Sequence, residues 1–103
     1  MAYITSNTDI ILESGSIEQF ASPDIVCMST FNPDDDTWLV ILRIRPNGTK
    51  EYKKEYGLRP TKTDIDAYTG SGTGDTRKIQ NAIEQYVSAY LLALNVSTTF
   101  TIV

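Results

Sequence analysis

The stretch TWLVILRIRPNGTKEYKKEYG, residues 37–57, decides the fold. Its first half is the strongest strand signal in the chain, rich in β-branched and aromatic residues. Leu39 to Leu42 is apolar at odd and even positions alike, which predicts a strand covered on both faces near its middle and placed inside a sheet. Pro46-Asn47-Gly48 then fits a type I turn closed by a glycine bulge. A three-residue loop there predicts a register in which Arg43 faces Glu51, Leu42 faces Tyr52 and Trp38 faces Tyr56. Trp38, Val40, Leu42, Ile44, Tyr52 and Tyr56 then share one face, and Arg43, Glu51, Lys53 and Glu55 the other.

Outward from this hairpin, Asp24 to Phe31 reads as a second strand, and Asn32-Pro33-Asp34-Asp35-Asp36 as the loop between the two. Tyr3 to Leu12 has a weaker strand pattern. Ser16 is placed to cap a helical turn, Ile17 to Phe20, that Ser22-Pro23 ends. After Arg59-Pro60, Thr61 or Thr63 is placed to cap a short turn, Asp64 to Tyr68. The glycine-rich 69–75 loop, the most flexible stretch by composition, leads to one long helix over 76–95, with Asp75 as its N-cap. Ile79, Ala82, Ile83, Tyr86, Tyr90 and Leu94 recur at helical spacing. Arg77, Lys78, Gln80, Asn81, Glu84, Gln85 and Ser88 make up its wet face. Beyond Val87 the apolar stripe widens, so the second half of the helix is expected to be covered nearly all round, by the fold or by another subunit. Residues 96–103 alternate as a final strand, with Val96, Phe100 and Ile102 inward. The expected fold is α+β: one domain, 1–103, with an antiparallel sheet of four or five short strands and the helix across one face. Trp38, Val40, Leu42, Ile79, Ile83, Tyr86, Tyr90, Phe100 and Ile102 are its expected core.

Composition narrows the function classes. The 103 residues include no histidine and one cysteine. The commonest general base and metal ligand are thus missing, which argues against triad hydrolysis and structural zinc. Cys27, in the apolar run IVCMS, reads as a buried small hydrophobe. Neither a secretory signal nor a membrane span of roughly 18 apolar residues is present, so an intracellular or virion setting is expected. Three motifs have duller readings that fit better. GSGTGD lacks the lysine and the preceding strand of a phosphate loop, and Asp75 would repel the phosphate. Asp34-Asp35-Asp36 lacks the alternating ligands and glycine of a calcium loop, and reads as a solvated turn. The tyrosines at 52, 56, 86 and 90 fall on apolar faces and read as mutual packing rather than a base-stacking platform. No cofactor and no metal site is expected.

Charge is the more specific signal. Residues 1–42 carry a net −7, residues 43–62 a net +5 and residues 63–103 a net −2. Either the acidic second strand neutralises the hairpin on folding, or the molecule has an acidic and a basic end. Five net positive charges in a domain of pI near 4.6 are thin for nucleic acid. A head-to-tail protein contact uses both ends, and such contacts build rings and filaments. The candidate contact residues are Asp34, Asp35, Asp36, Arg43, Arg45, Lys50, Lys53 and Lys54, with Leu91, Leu92 and Val103 from the apolar C-terminal region. The chain is short, free of histidine and rich in threonine and serine. In that general cast it resembles small viral or phage-encoded proteins, a likeness that rests on no motif. The expected function is therefore a non-enzymatic structural or assembly subunit acting through protein contacts, as a homo-oligomer or in a larger array such as a virion. The alternative is an acidic inhibitor occupying the basic site of a nucleic-acid-handling enzyme.

Overall fold

Alternating burial along Thr37–Arg45 makes this stretch β3, with Val40, Leu42 and Ile44 fully buried on one side. The computed structural model describes residues 3–12, 20, 22–46, 51–52 and 54–103. Before β3 come β1 (Ile4–Ser6) and β2 (Asp24–Asn32); after it come β4 (Lys54–Leu58), α1 (Lys62–Asp66), α2 (Asp75–Leu94) and β5 (Phe100–Ile102). The strands form one antiparallel sheet in the order β4-β3-β2-β1-β5, so the α+β expectation holds and β3 is an interior strand.

The hairpin register differs from the sequence expectation by four residues. Leu42 faces Tyr56 and Arg43 faces Glu55. The connection therefore runs over 46–53, too long for a three-residue turn, and residues 47–50 and 53 lie outside those described. A shift of four preserves the side-chain parity of a strand, so Trp38, Val40, Leu42, Ile44 and Tyr56 still share a face. Tyr52 does not join them. It is exposed, and the guanidinium carbons of Arg43 and Arg45 lie 5.6 and 5.8 Å from its ring centre. Arg43 also meets Glu55 at 3.2 Å, and Arg45 meets the buried Asp24 at 3.6 Å.

α2 lies on the Val40 side of the sheet. Ile83, Val87 and Leu91, spaced at one turn, are fully buried with Ile4, Ile25, Val40, Leu42 and Ile44. Each such side chain contributes about 1.5–3 kcal/mol. Tyr56 and Tyr90 touch through their hydroxyls at 3.3 Å, as mutual packing requires. Trp38, Tyr86, Phe100 and Ile102 border the core half-buried, but Ile79 is 44% exposed and does not belong to it. One further expectation for the helix fails: Gly74 is its N-cap and Asp75 its first residue. Ala89, Leu92 and Ala93 are exposed, so the fold by itself does not supply the cover expected for the second half of the helix.

The ends of the chain are less regular than alternation suggested. β1 stops at Ser6, and the next apolar residues reach the core from outside a strand: Ile10 bridges Phe20, and Leu12 is buried. Asn95 holds this segment. Its Oδ1 accepts from the Ile11 N–H at 2.7 Å, and its Nδ2 donates to the Ile11 and Leu91 carbonyls, each at 2.9 Å. The Ser16 cap and most of the 17–20 turn lie outside the described residues. Residues 95–98 form a turn rather than a strand, which leaves Val96 82% exposed and buries Thr98 against the Thr8 hydroxyl at 2.7 Å. α1 starts two residues before the expected turn. Thr61 caps it reciprocally with Asp64, as the threonine-x-x-acid spacing permits.

Candidate functional site

At the end of the sheet where β2 turns into β3, the chain leaves an aromatic groove open. Asn32 pairs with Thr37 across the Pro33–Asp36 turn, which sets Phe31 opposite Trp38 with ring centres 4.9 Å apart. α1 follows closely because Trp38 N–H donates to the Pro60 carbonyl and Lys62 N–H to the Asp36 carbonyl. This brings Ile65 and Tyr68 beside the two rings. The first turns of α2 complete the wall with Lys78, Ile79 and Ala82, and the groove encloses about 540 Å³. Trp38 and Ile79 also border a shallower recess of about 490 Å³ with Met28, Ser29, Thr76 and Gln80.

The 69–74 loop is fastened along α2 despite its composition. Ser71 N–H donates to Asn81 Oδ1 at 3.0 Å, and Gln85 Nε2 donates to the Thr69 carbonyl at 2.9 Å. Gly70 is required where it is, because a Cβ there would overlap the Lys78 carbonyl. Gly72 and Gly74 have φ of 126° and 84°, in the region that favours glycine. The loop therefore shapes the groove, with Gly70 in its wall. On the rim, Lys62 donates to Asp66 at 2.6 Å, and this hydrogen bond holds the lysine charged by raising its pKa.

The contact residues expected from sequence do not gather here. Asp34, Asp35 and Asp36 are exposed in the β2–β3 turn; Asp35 accepts from the Thr37 hydroxyl, and Asp36 sits at φ 52°. Arg43 and Arg45 are far along β3 from them and engaged with Glu55, Asp24 and Tyr52. Lys50 and Lys53 lie outside the described residues, and Lys54 is half-buried in β4. Leu91 belongs to the core, whereas Leu92 and Val103 are exposed. Sequence reading missed Phe31, Ile65, Tyr68 and Gly70 as a group. The available signal was the four-residue loop, which places two aromatics opposite each other at its base.

A second site is chemical rather than concave. Glu84, expected on the wet face, is fully buried, and neither carboxylate oxygen has a hydrogen-bond partner among the described residues. Burial raises its pKa; Arg77 and Gln80 oppose the rise. The nearby Gln80 amide is engaged with the Cys27 carbonyl at 3.2 Å. Cys27 is itself buried and reduced, and its thiol is pushed up to about 12 by desolvation first and the Glu84 charge second. That environment suppresses the thiolate, as expected of a structural cysteine.

Among the described residues, no three His, Cys, Asp or Glu side chains cluster closely enough to hold a metal ion, and no helix is long and apolar enough to cross a membrane. Compared with protein-family models, curated proteins and solved structures, the chain matches none of them.

Proposed function

We propose that this protein is a non-enzymatic interaction or assembly subunit, and that the groove at the β2–β3 end seats an apolar or aromatic segment of a protein partner. One observation carries the reading. Phe31, Trp38, Ile65, Tyr68 and Ile79 converge on one open concavity instead of closing over it. Aromatic anchors in a pocket with a charged rim are the usual makings of a protein contact. Lys62, Asp66 and Lys78 supply charge of both signs at that rim. The lack of histidine supports the non-enzymatic part.

Panning random 12-residue peptides on the purified protein tests this. Enriched peptides are expected to share an aromatic or branched aliphatic anchor and to shift the emission of Trp38, the only tryptophan. Ile79→Glu is expected to weaken them at least tenfold. No enrichment, or equal binding to Ile79→Glu, would contradict the assignment.

The acidic-inhibitor reading keeps one support, since Asp34, Asp35 and Asp36 all remain exposed on one turn. It requires that replacing the three by alanine abolish capture of a basic nucleic-acid-binding enzyme.

A further inference from the structure

The far side of the sheet poses a different question: what covers β5? Among the described residues this strand is one edge of the sheet and pairs with β1 on its inner side only. Val103 N–H donates to the Tyr3 carbonyl and Asn7 N–H to the Thr99 carbonyl. Residues 99, 101 and 103 thus turn their backbone groups inward, and by antiparallel alternation Phe100 and Ile102 turn theirs outward.

Natural edges are commonly blunted with charge, proline or short length. β4, the opposite edge, carries Lys54 and Glu55. Among the described residues around β5 there is no such device except brevity. From Val87 to Val103 the sequence has no charged side chain and no proline. Beside the strand, Ser88, Ala89, Leu92, Thr98, Thr99 and Phe100 line a recess of about 430 Å³ under the outer side of α2. Leu92 is 45% exposed there, and the buried Ser88 Oγ has no hydrogen-bond partner among the described residues.

From this we infer that β5 pairs antiparallel with β5 of a second copy, joining two five-stranded sheets into one of ten strands. The occupant follows from charge and symmetry. Each chain carries a net −4, so two copies repel over most approaches. The 87–103 stretch, which has no charged side chain, is where they meet with the least like-charge contact. A twofold axis through Thr101 sets Phe100 of one copy opposite Ile102 of the other, so the outward amides and carbonyls of both residues are satisfied reciprocally. The two α2 helices then lie on the same face of the joint sheet, and the recess beside Leu92 receives side chains of the other copy. This interface lies near the end of α2 remote from the groove, about 20 Å along the helix from Ile79 to Leu92. It stands independently of the groove reading.

Thr101 provides the test because it is exposed and faces away from the core. In the joined sheet, the two Thr101 residues form a non-hydrogen-bonded pair with Cα atoms roughly 4.5 Å apart, within disulfide reach. Under mild oxidation Thr101→Cys is expected to give a covalent dimer at least tenfold faster than Thr30→Cys, an exposed control on β2. Analytical ultracentrifugation of the native chain is expected to show a monomer–dimer equilibrium that Thr101→Lys shifts to monomer at low salt. A native chain that stays monomeric up to high concentration would overturn the inference. So would a dimer that Thr101→Lys leaves intact and Thr101→Cys does not cross-link, since it would use another surface. Peptide binding in the groove is expected to be unchanged in both variants, which keeps the two readings apart.

Discussion

Glu84 shows how a single residue can depart from its helical pattern. Its neighbours Arg77, Lys78, Asn81 and Gln85 belong to the outer face, and a periodicity argument groups it with them. Its carboxylate is nevertheless closed off from water, with no donor among the described residues in hydrogen-bonding geometry. Its pKa is raised, so the folded protein keeps the proton over a range where the unfolded chain has lost it. The contribution of this group to stability is fully present below the ordinary carboxyl range and falls as pH rises towards the folded value. Glu84→Met removes the cost of the buried oxygens. It is expected to stabilise the protein by about 1–3 kcal/mol at neutral pH, with an advantage over the native chain that widens from about pH 4 to 7 in thermal melts. Asn95 is the converse case, a buried polar side chain with its partners met. Asn95→Ala strands the Ile11 N–H and carbonyl and is expected to destabilise by about 1–3 kcal/mol, measured by urea unfolding.

At the scale of elements, what could be read from the sequence depended on how local its cause was. β2, β3, α2 and the Thr61 cap follow from runs and spacings within a few residues, and all are where pattern placed them to within about two residues. The hairpin register was less accessible. Pro46-Asn47-Gly48 is a sound turn signal, yet the pairing of Leu42 with Tyr56 lets Arg43 meet Glu55 and both arginines meet Tyr52. Those contacts span the connection, and local turn chemistry does not encode them. Val96 misled for a similar reason. Alternation put it in a strand, while the turn that brings Thr98 to Thr8 exposes it. The 69–74 loop has the composition of a flexible linker but is held by Asn81 and Gln85, side chains that sit on a helix face. Gly70→Ala is expected to push the loop off the Lys78 carbonyl at a cost of about 1–3 kcal/mol. In a thermal melt its loss should clearly exceed that of Gly57→Ala, where a Cβ meets nothing within 4 Å.

For the whole molecule, folding rearranges the charge that is segregated along the chain. Arg43 and Arg45 are drawn into pairs with Glu55 and Asp24, while Asp34–Asp36 stay exposed at the opposite end of β3. The candidate groove uses residues from β2, β3, α1, the 69–74 loop and α2, and no stretch of sequence holds them together. Only the tight β2–β3 turn betrays it, by setting Phe31 against Trp38. A second run of exposed apolar side chains, Leu92, Val96 and Val103, follows the C-terminal stretch without charged side chains, which the sequence does display. Its direction could not be read there, because helical periodicity does not say which side of α2 the sheet leaves open. The Phe31–Trp38–Ile79 groove is the proposed partner site. Chemical-shift mapping of the ¹⁵N-labelled protein with a panned peptide tests it most directly. The largest changes are expected at the Trp38 indole N–H and at the backbone amides of Ile65, Tyr68 and Ile79, with Ile41 and Gly57 on the other face of the sheet unmoved. Changes centred on Ile41 and Gly57, with Trp38 silent, would contradict it.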